Sequence, residues 1–204
     1  MFVNRKNKSI FIHNPKAAGT SIRNSFPLEE YGILSRHKMF PHNPASIVKR
    51  NVGEKCWNEY FKYGFVRNPY DRCVSYYFFH RSDQYRFPPA KEEAYKPFDV
   101  WIQERFGQHI LIKRNDSKEF GKGGFVQIKQ SEYIDIDVDF IGRYENLQDD
   151  FDYVCGQLNI DSHKLPHYNK STEHNDWESY YTDELKEIVY NFFKEDFERF
   201  DYRI

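Results

Sequence analysis

Two short stretches, about fifty residues apart, set a cationic side chain in a turn between a strand and a helix. In Ser9-Ile10-Phe11-Ile12-His13-Asn14-Pro15-Lys16-Ala17-Ala18-Gly19-Thr20-Ser21 the cation is Lys16, placed among small residues and followed by two hydroxyls. In Tyr63-Gly64-Phe65-Val66-Arg67-Asn68-Pro69-Tyr70-Asp71-Arg72-Cys73-Val74-Ser75-Tyr76-Tyr77 it is Arg67, with Ser75 one to two turns into the following helix. Each stretch can hold an anion, through side-chain charge, hydroxyl donors and the N–H groups that a helix start leaves without intrahelical partners. The pair suits a ligand with two separated phosphate-like groups.

In the first stretch, Ile10, Phe11 and Ile12 form an apolar run of strand length, as expected where both faces of a parallel strand are covered. Pro15 stops the strand, and Ala17, Ala18 and Gly19 keep bulk off the backbone so that a ligand oxygen can approach main-chain N–H groups. Thr20 or Ser21 is expected to cap the following helix. An ordinary tight turn would use the same small residues. A nucleotide-binding P-loop would need lysine after the second glycine of Gly-x-x-x-x-Gly-Lys-Ser/Thr. Here Lys16 precedes Gly19, and Asn14 stands five residues before that glycine, so the Walker pattern fails.

In the second stretch Asn68 suits an N-cap and Pro69 a first helical residue, which starts the helix just after Arg67. Arg67 then lies at the carboxyl end of a strand, where ligands gather in open α/β sheets, and its planar fork matches phosphate oxygens. A plain ion pair with Asp71 is the simpler alternative, and Arg72 reads as a helix-face residue pairing locally. Tyr76, Tyr77, Phe78 and Phe79 read as core and pocket wall.

These residues resemble a known family. Pro15 to Ser21 looks like the 5′-phosphosulfate loop of sulfotransferases, and Phe65 to Tyr77 looks like their 3′-phosphate motif. Asp139 to Leu147, Leu165 to Ser171 and the closing stretch from Tyr180 to Tyr202 are similar in order and spacing to the carbohydrate-type branch. The resemblance spans nearly the whole chain. It implies sulfuryl transfer from 3′-phosphoadenosine 5′-phosphosulfate, with adenosine 3′,5′-bisphosphate as product and a carbohydrate or glycoconjugate hydroxyl as acceptor. It implies donor binding by Lys16, Ala17, Ala18, Gly19, Thr20, Ser21, Arg67 and Ser75, with Lys170 and Ser171 closing over the nucleotide. Lys16 would neutralise charge on the leaving oxygen. A base is needed for the acceptor proton, and histidine titrates in the useful range. His42, which leads into a helix as the family's His-x-x-Ala segment does, is favoured over His37; Glu29 and Glu30 are further options, and His13 reads as a packed strand-end residue. Arg143 could reach phosphate or pair with Glu145 or Glu132. The Ala17-Ala18 pair departs from the Thr-Ala or Thr-Gly of many relatives and removes one hydroxyl from the cradle. The segment from about Arg81 to Gly124 resembles nothing assignable, which leaves the acceptor, the sulfated position and the oligomeric state open. A small-molecule kinase and a non-catalytic nucleotide- or glycan-binding module are the competing readings.

A chain of 204 residues can bury a substantial core, and one sulfotransferase domain over 1–204 is expected. The formal charge of −1 gives no bulk attraction to nucleic acid or an anionic membrane. Cys56, Cys73 and Cys155 have neither Cys-x-x-Cys nor metal spacing, so free thiols in a reducing compartment and no metal are expected. The basic first residues, Met1 to Lys8, precede an apolar run of about four residues, far short of a signal h-region or a membrane span; a cytoplasmic, bacterial protein is the expectation.

Periodicity predicts a weak strand at 31–35, a helix from Asn43-Pro44 to about Arg50 stopped near Gly53, and a helix over 97–106 ended by Gly107. Loops are expected over 86–96 and around the glycines 121, 123 and 124, strands at 125–128 and 140–144, and helices at 146–158 and 182–200. Strands alternating with helices imply an α/β fold: a P-loop-like central parallel sheet flanked by helices in three α/β/α layers.

Overall fold

The computed structural model describes residues 2–26, 31–32, 42–81, 96–107, 128–165 and 176–203. The chain divides into two compact units, 1–67 with 130–169 and 68–129 with 170–204.

The first unit is built on a five-stranded sheet of β1 (Phe2–Asn4), β2 (Ser9–Ile12), β3 (Tyr31–Gly32), β4 (Phe61–Val66) and β5 (Phe140–Arg143), in the order β3-β1-β2-β4-β5. β2, β4 and β5 are parallel, with Phe11 opposite Tyr63 and Tyr63 opposite Phe140. β1 runs antiparallel to both β2 and β3. The sheet is therefore mixed rather than wholly parallel. The difference lies in Phe2–Asn4, a strand too short for its alternation to be read, and in the basic segment after it, which is a hairpin turn. Asn4 Oδ1 accepts from Lys6 N and Asn7 N at 3.0 and 3.2 Å and closes that turn.

Side chains alternate across the sheet. Phe11, Tyr63 and Phe65 pack with Ile22 of α1 (Gly19–Asn24) and with Phe151, Val154 and Cys155 of α7 (Leu147–Gln157). Ile10 and Ile12, on the opposite side of β2, are also fully buried. Each such aliphatic or aromatic side chain taken out of water contributes about 1.5–3 kcal/mol. The unit also holds α2 (Ala45–Val52), α3 (Glu54–Glu59) and the short α6 (Gln130–Tyr133). Gly53, at φ 85°, ends α2 and begins α3, a backbone shape that other residues adopt only with strain.

The second unit contains α4 (Pro69–Arg81), α5 (Phe98–Phe106) and α8 (Asp183–Arg199), joined in one core that includes Tyr77, Phe98, Trp101, Phe106, Val189 and Phe193. Asn68 caps α4 as expected, its Oδ1 accepting from Tyr70 N at 2.9 Å. Thr182 caps α8 through Leu185 N, and the helix predicted at 182–200 turns its apolar residues to the core, with Leu185, Val189, Phe192 and Phe197 buried. Arg72 is not a helix-face residue. It is buried, donates from Nη2 to Ile128 O at 3.0 Å and lies 5.8 Å from the Phe193 ring centroid. Cys73 and Cys155 are buried free thiols, pushed up to about 12 and about 11 by burial, while Cys56 is half-buried. Among the described residues no helix is long and apolar enough to cross a membrane.

Candidate active site

In the first unit the three parallel strands end at one edge of the sheet. β2 leads into loop 13–18, β4 into Arg67, and β5 into a 3-10 turn over Tyr144–Asn146. Ligand-binding residues in parallel sheets concentrate at this edge because backbone direction brings the loops together there. Loop 13–18 is strained: Lys16 and Ala18 both adopt left-handed conformations, with φ of 67° and 58°. For residues carrying a Cβ this costs about 1–2 kcal/mol each. Ala18 is the N-cap of α1 and makes no side-chain capping bond, so neither Thr20 nor Ser21 caps this helix. Both hydroxyl residues lie inside its first turn, Ser21 buried and Thr20 half-buried.

Arg67 is buried, at 4% exposure, and its guanidinium stacks 3.8 Å from the centroid of the Tyr144 ring. Its Nη1 donates to Lys16 O at 3.3 Å, which links the two cationic turns directly. Gln130, at the start of α6, ties the same strand ends. Its Oε1 accepts from Arg67 N and from Asn14 Nδ2, each at 2.9 Å, while its Nε2 donates to Arg67 O at 2.8 Å. Asn14 Nδ2 donates in addition to Phe65 O at 3.1 Å. Sequence reasoning missed Gln130, because a lone glutamine outside any motif carries no local signal of contacts made 63 and 116 residues away.

Burial, followed by the Arg67 charge, lowers the Lys16 ammonium from its ordinary value to about 7. Both causes disfavour a charge that has left water and stands near another of the same sign. An anion between them would offset both by direct attraction to the two cations.

His42 lies just before α2, and Ser46 in the first turn of that helix is held by Asp135, whose Oδ1 accepts from Ser46 N at 2.9 Å and whose Oδ2 accepts from Ser46 Oγ. His42 Nδ1 contacts His13 O at 3.0 Å. A carbonyl oxygen only accepts, so this bond puts the proton of the neutral ring on Nδ1 and leaves the lone pair on Nε2. The His13 and His42 rings stand 4.2 Å apart. His13 is buried against Phe11, and burial, then the His42 charge, holds it well below the usual imidazole range. His13 also explains Gly19. A Cβ on Gly19 would fall 1.9 Å from His13 Cδ2 and Nε2, so any larger residue here would collide with this imidazole.

The first unit thus brings Lys16, Ala17, Ala18, Gly19, Thr20, Ser21 and Arg67 to one sheet edge, with His42 joined to the loop through His13. Ser75 is half-buried on α4 of the second unit. Arg143 is half-buried, and its backbone N donates to Asp150 Oδ2 at 2.6 Å. His37, Glu29, Glu30, Lys170 and Ser171 fall outside the described residues, as do the expected strand positions 125–127 and the glycine loop at 121–124.

A family model described as "Sulfotransferase family" matches residues 1–203. Carbohydrate sulfotransferase 10 of Xenopus laevis is 22% identical over all of this chain and 67% of that protein, and carbohydrate sulfotransferase 12 of Mus musculus is 22% identical over 99% of this chain and 59% of that protein. This chain therefore spans about three fifths to two thirds of these two relatives. An uncharacterized protein of Archaeoglobus fulgidus is 26% identical over 57% of this chain and 82% of its own length. The crystal structure of mouse sulfotransferase SULT7A1 complexed with PAP superposes with a TM-score of 0.53 at 16% identity, covering 96% of this chain and 86% of that one, a likeness of fold. The expected α/β class with a central sheet flanked by helices holds, with the sheet mixed. On the match over almost its entire length, the chain belongs to the sulfotransferase family.

Proposed function

We propose that this protein moves a sulfuryl group from 3′-phosphoadenosine 5′-phosphosulfate to a hydroxyl of a carbohydrate or glycoconjugate. The observation that carries this reading is the meeting of Lys16 and Arg67 at the carboxyl ends of parallel strands, where Arg67 Nη1 donates to Lys16 O at 3.3 Å. Two crowded cations, one already lowered to about 7, gain from a bound polyanion. The left-handed Lys16 and Ala18 give the loop the curled backbone that turns N–H groups toward an anion. The relatives named as carbohydrate sulfotransferases support the acceptor class, and the neighbour complexed with PAP supports the donor.

In this reading the loop 16–21 holds the 5′-phosphosulfate, Arg67 and Ser75 the 3′-phosphate, and Lys170 and Ser171 contribute from the carboxyl-terminal side. The acceptor oxygen bonds to sulfur as the bond from sulfur to the 5′-phosphate oxygen breaks, and Lys16 neutralises the charge left on that oxygen. His42 Nε2, which carries the lone pair in the tautomer set by the Nδ1 bond to His13 O, takes the acceptor's proton; His37 is the alternative base. The chemistry rests on position and charge, with no covalent intermediate and no metal. We assign the protein to a reducing cytoplasm on its three free cysteines.

Titration calorimetry with adenosine 3′,5′-bisphosphate and with ATP, followed by labelled-donor assays on a panel of glycans and small alcohols, tests the reading. Bisphosphate binding and label transfer to a glycan are the expected results. Preferential ATP binding with phosphate transfer would replace it with a kinase. Binding without any transfer would make the protein a nucleotide- or glycan-binding module.

A further inference from the structure

We propose that Gln130 is the positioning residue that sets the two cationic turns in register for the donor. This rests on the sulfotransferase reading above. The Gln130 carboxamide pairs with Arg67 through both backbone groups, accepting from N at 2.9 Å and donating to O at 2.8 Å, as the peptide of a neighbouring strand would. β4 ends at Val66, so the side chain extends the ladder by one residue beyond the strand. The same Oε1 accepts from Asn14 Nδ2 at 2.9 Å, and Asn14 reaches back to Phe65 O at 3.1 Å. One fully buried amide therefore fixes the residue before the Pro15-Lys16 turn and the backbone of Arg67 together. A carboxamide offers an acceptor for two donors and a permanent donor for the Arg67 carbonyl in one plane. In a buried setting each partner left unpaired penalises the native geometry, so the turns shift rather than leave these groups bare.

The test uses Gln130→Met, which keeps the volume and removes these three bonds, and Gln130→Glu, assayed at a pH where the carboxyl is ionised, which keeps both accepted bonds and loses the donation to Arg67 O. Val154→Ala, a buried substitution on α7, serves as a stability control. The expected result is that Gln130→Met weakens adenosine 3′,5′-bisphosphate about tenfold or more, as misplaced binding groups do. Gln130→Glu weakens it less, and Val154→Ala leaves it unchanged while lowering the melting temperature. In a double variant with Arg67→Lys, the two effects on bisphosphate affinity are expected to be non-additive, because Gln130 acts through Arg67. Wild-type affinity in both Gln130 variants, or full additivity with Arg67→Lys, overturns the assignment. If Gln130→Met does not fold, Gln130→Glu and its double variant decide by the same criteria. Should Arg67→Lys alone leave bisphosphate binding untouched, the donor reading itself fails, a result separable from failure of the Gln130 role.

Discussion

Donor binding should draw a proton from solvent, and Lys16 should be the group that takes it. In the unliganded protein its ammonium is lowered from 10.5 to about 7 by burial and by Arg67. A phosphosulfate or phosphate set against the ammonium favours the charged form and returns the value toward the ordinary range. At pH 8 the free protein then carries about a tenth of a proton on Lys16 and the complex about a whole one, so binding takes up roughly 0.9 proton. At pH 6 Lys16 is already charged, and its own uptake falls to about 0.1. The apparent dissociation constant should rise about fivefold from pH 7 to 8 and about tenfold from pH 8 to 9. At Lys16 the unfolded chain binds more protons than the fold in the same window, so the contribution of this residue to the stability of the free protein should increase with pH there. Titration of adenosine 3′,5′-bisphosphate in buffers of different ionisation enthalpy reads the uptake directly. Phosphate's second ionisation lies near about pH 6, so the ligand contributes little at pH 8. Equal binding heats in all buffers at pH 8, or the same uptake in Lys16→Met, would refute the reasoning.

Lys16→Ala and Arg67→Ala should each cripple sulfuryl transfer while circular dichroism reports an intact fold, since neither side chain belongs to the apolar core. His42→Ala should lower kcat by about 10²–10⁴ and leave bisphosphate affinity near wild type in calorimetry. Gly19→Ala drives a methyl into the His13 ring and should destabilise by about 1–3 kcal/mol in urea unfolding, with part of the loss recovered in a Gly19→Ala/His13→Ala double variant. Thr182→Ala removes the α8 cap and should cost about 1 kcal/mol in the same assay without changing the activity.

Local chemistry made much of the framework legible before any coordinates. The apolar run Ile10–Ile12 marked β2, Asn68-Pro69 marked the start of α4 and with it the end of β4, and helical periodicity over 182–200 marked α8, because each signal lies within a few neighbouring residues. The cationic turns and their family were readable for the same reason. Tertiary structure alone decided that Phe2–Asn4 joins the sheet antiparallel, that Arg72 turns inward to a carbonyl and an aromatic ring, and that Gly19 makes room for an imidazole. It alone decided that Gln130 spans 63 and 116 residues to hold Arg67 and Asn14, and that His13 O selects the His42 tautomer. Periodicity and capping are imprinted on adjacent residues by backbone geometry. A hydrogen bond closed across a sheet edge leaves no such trace, since its partners become neighbours only after the core has packed.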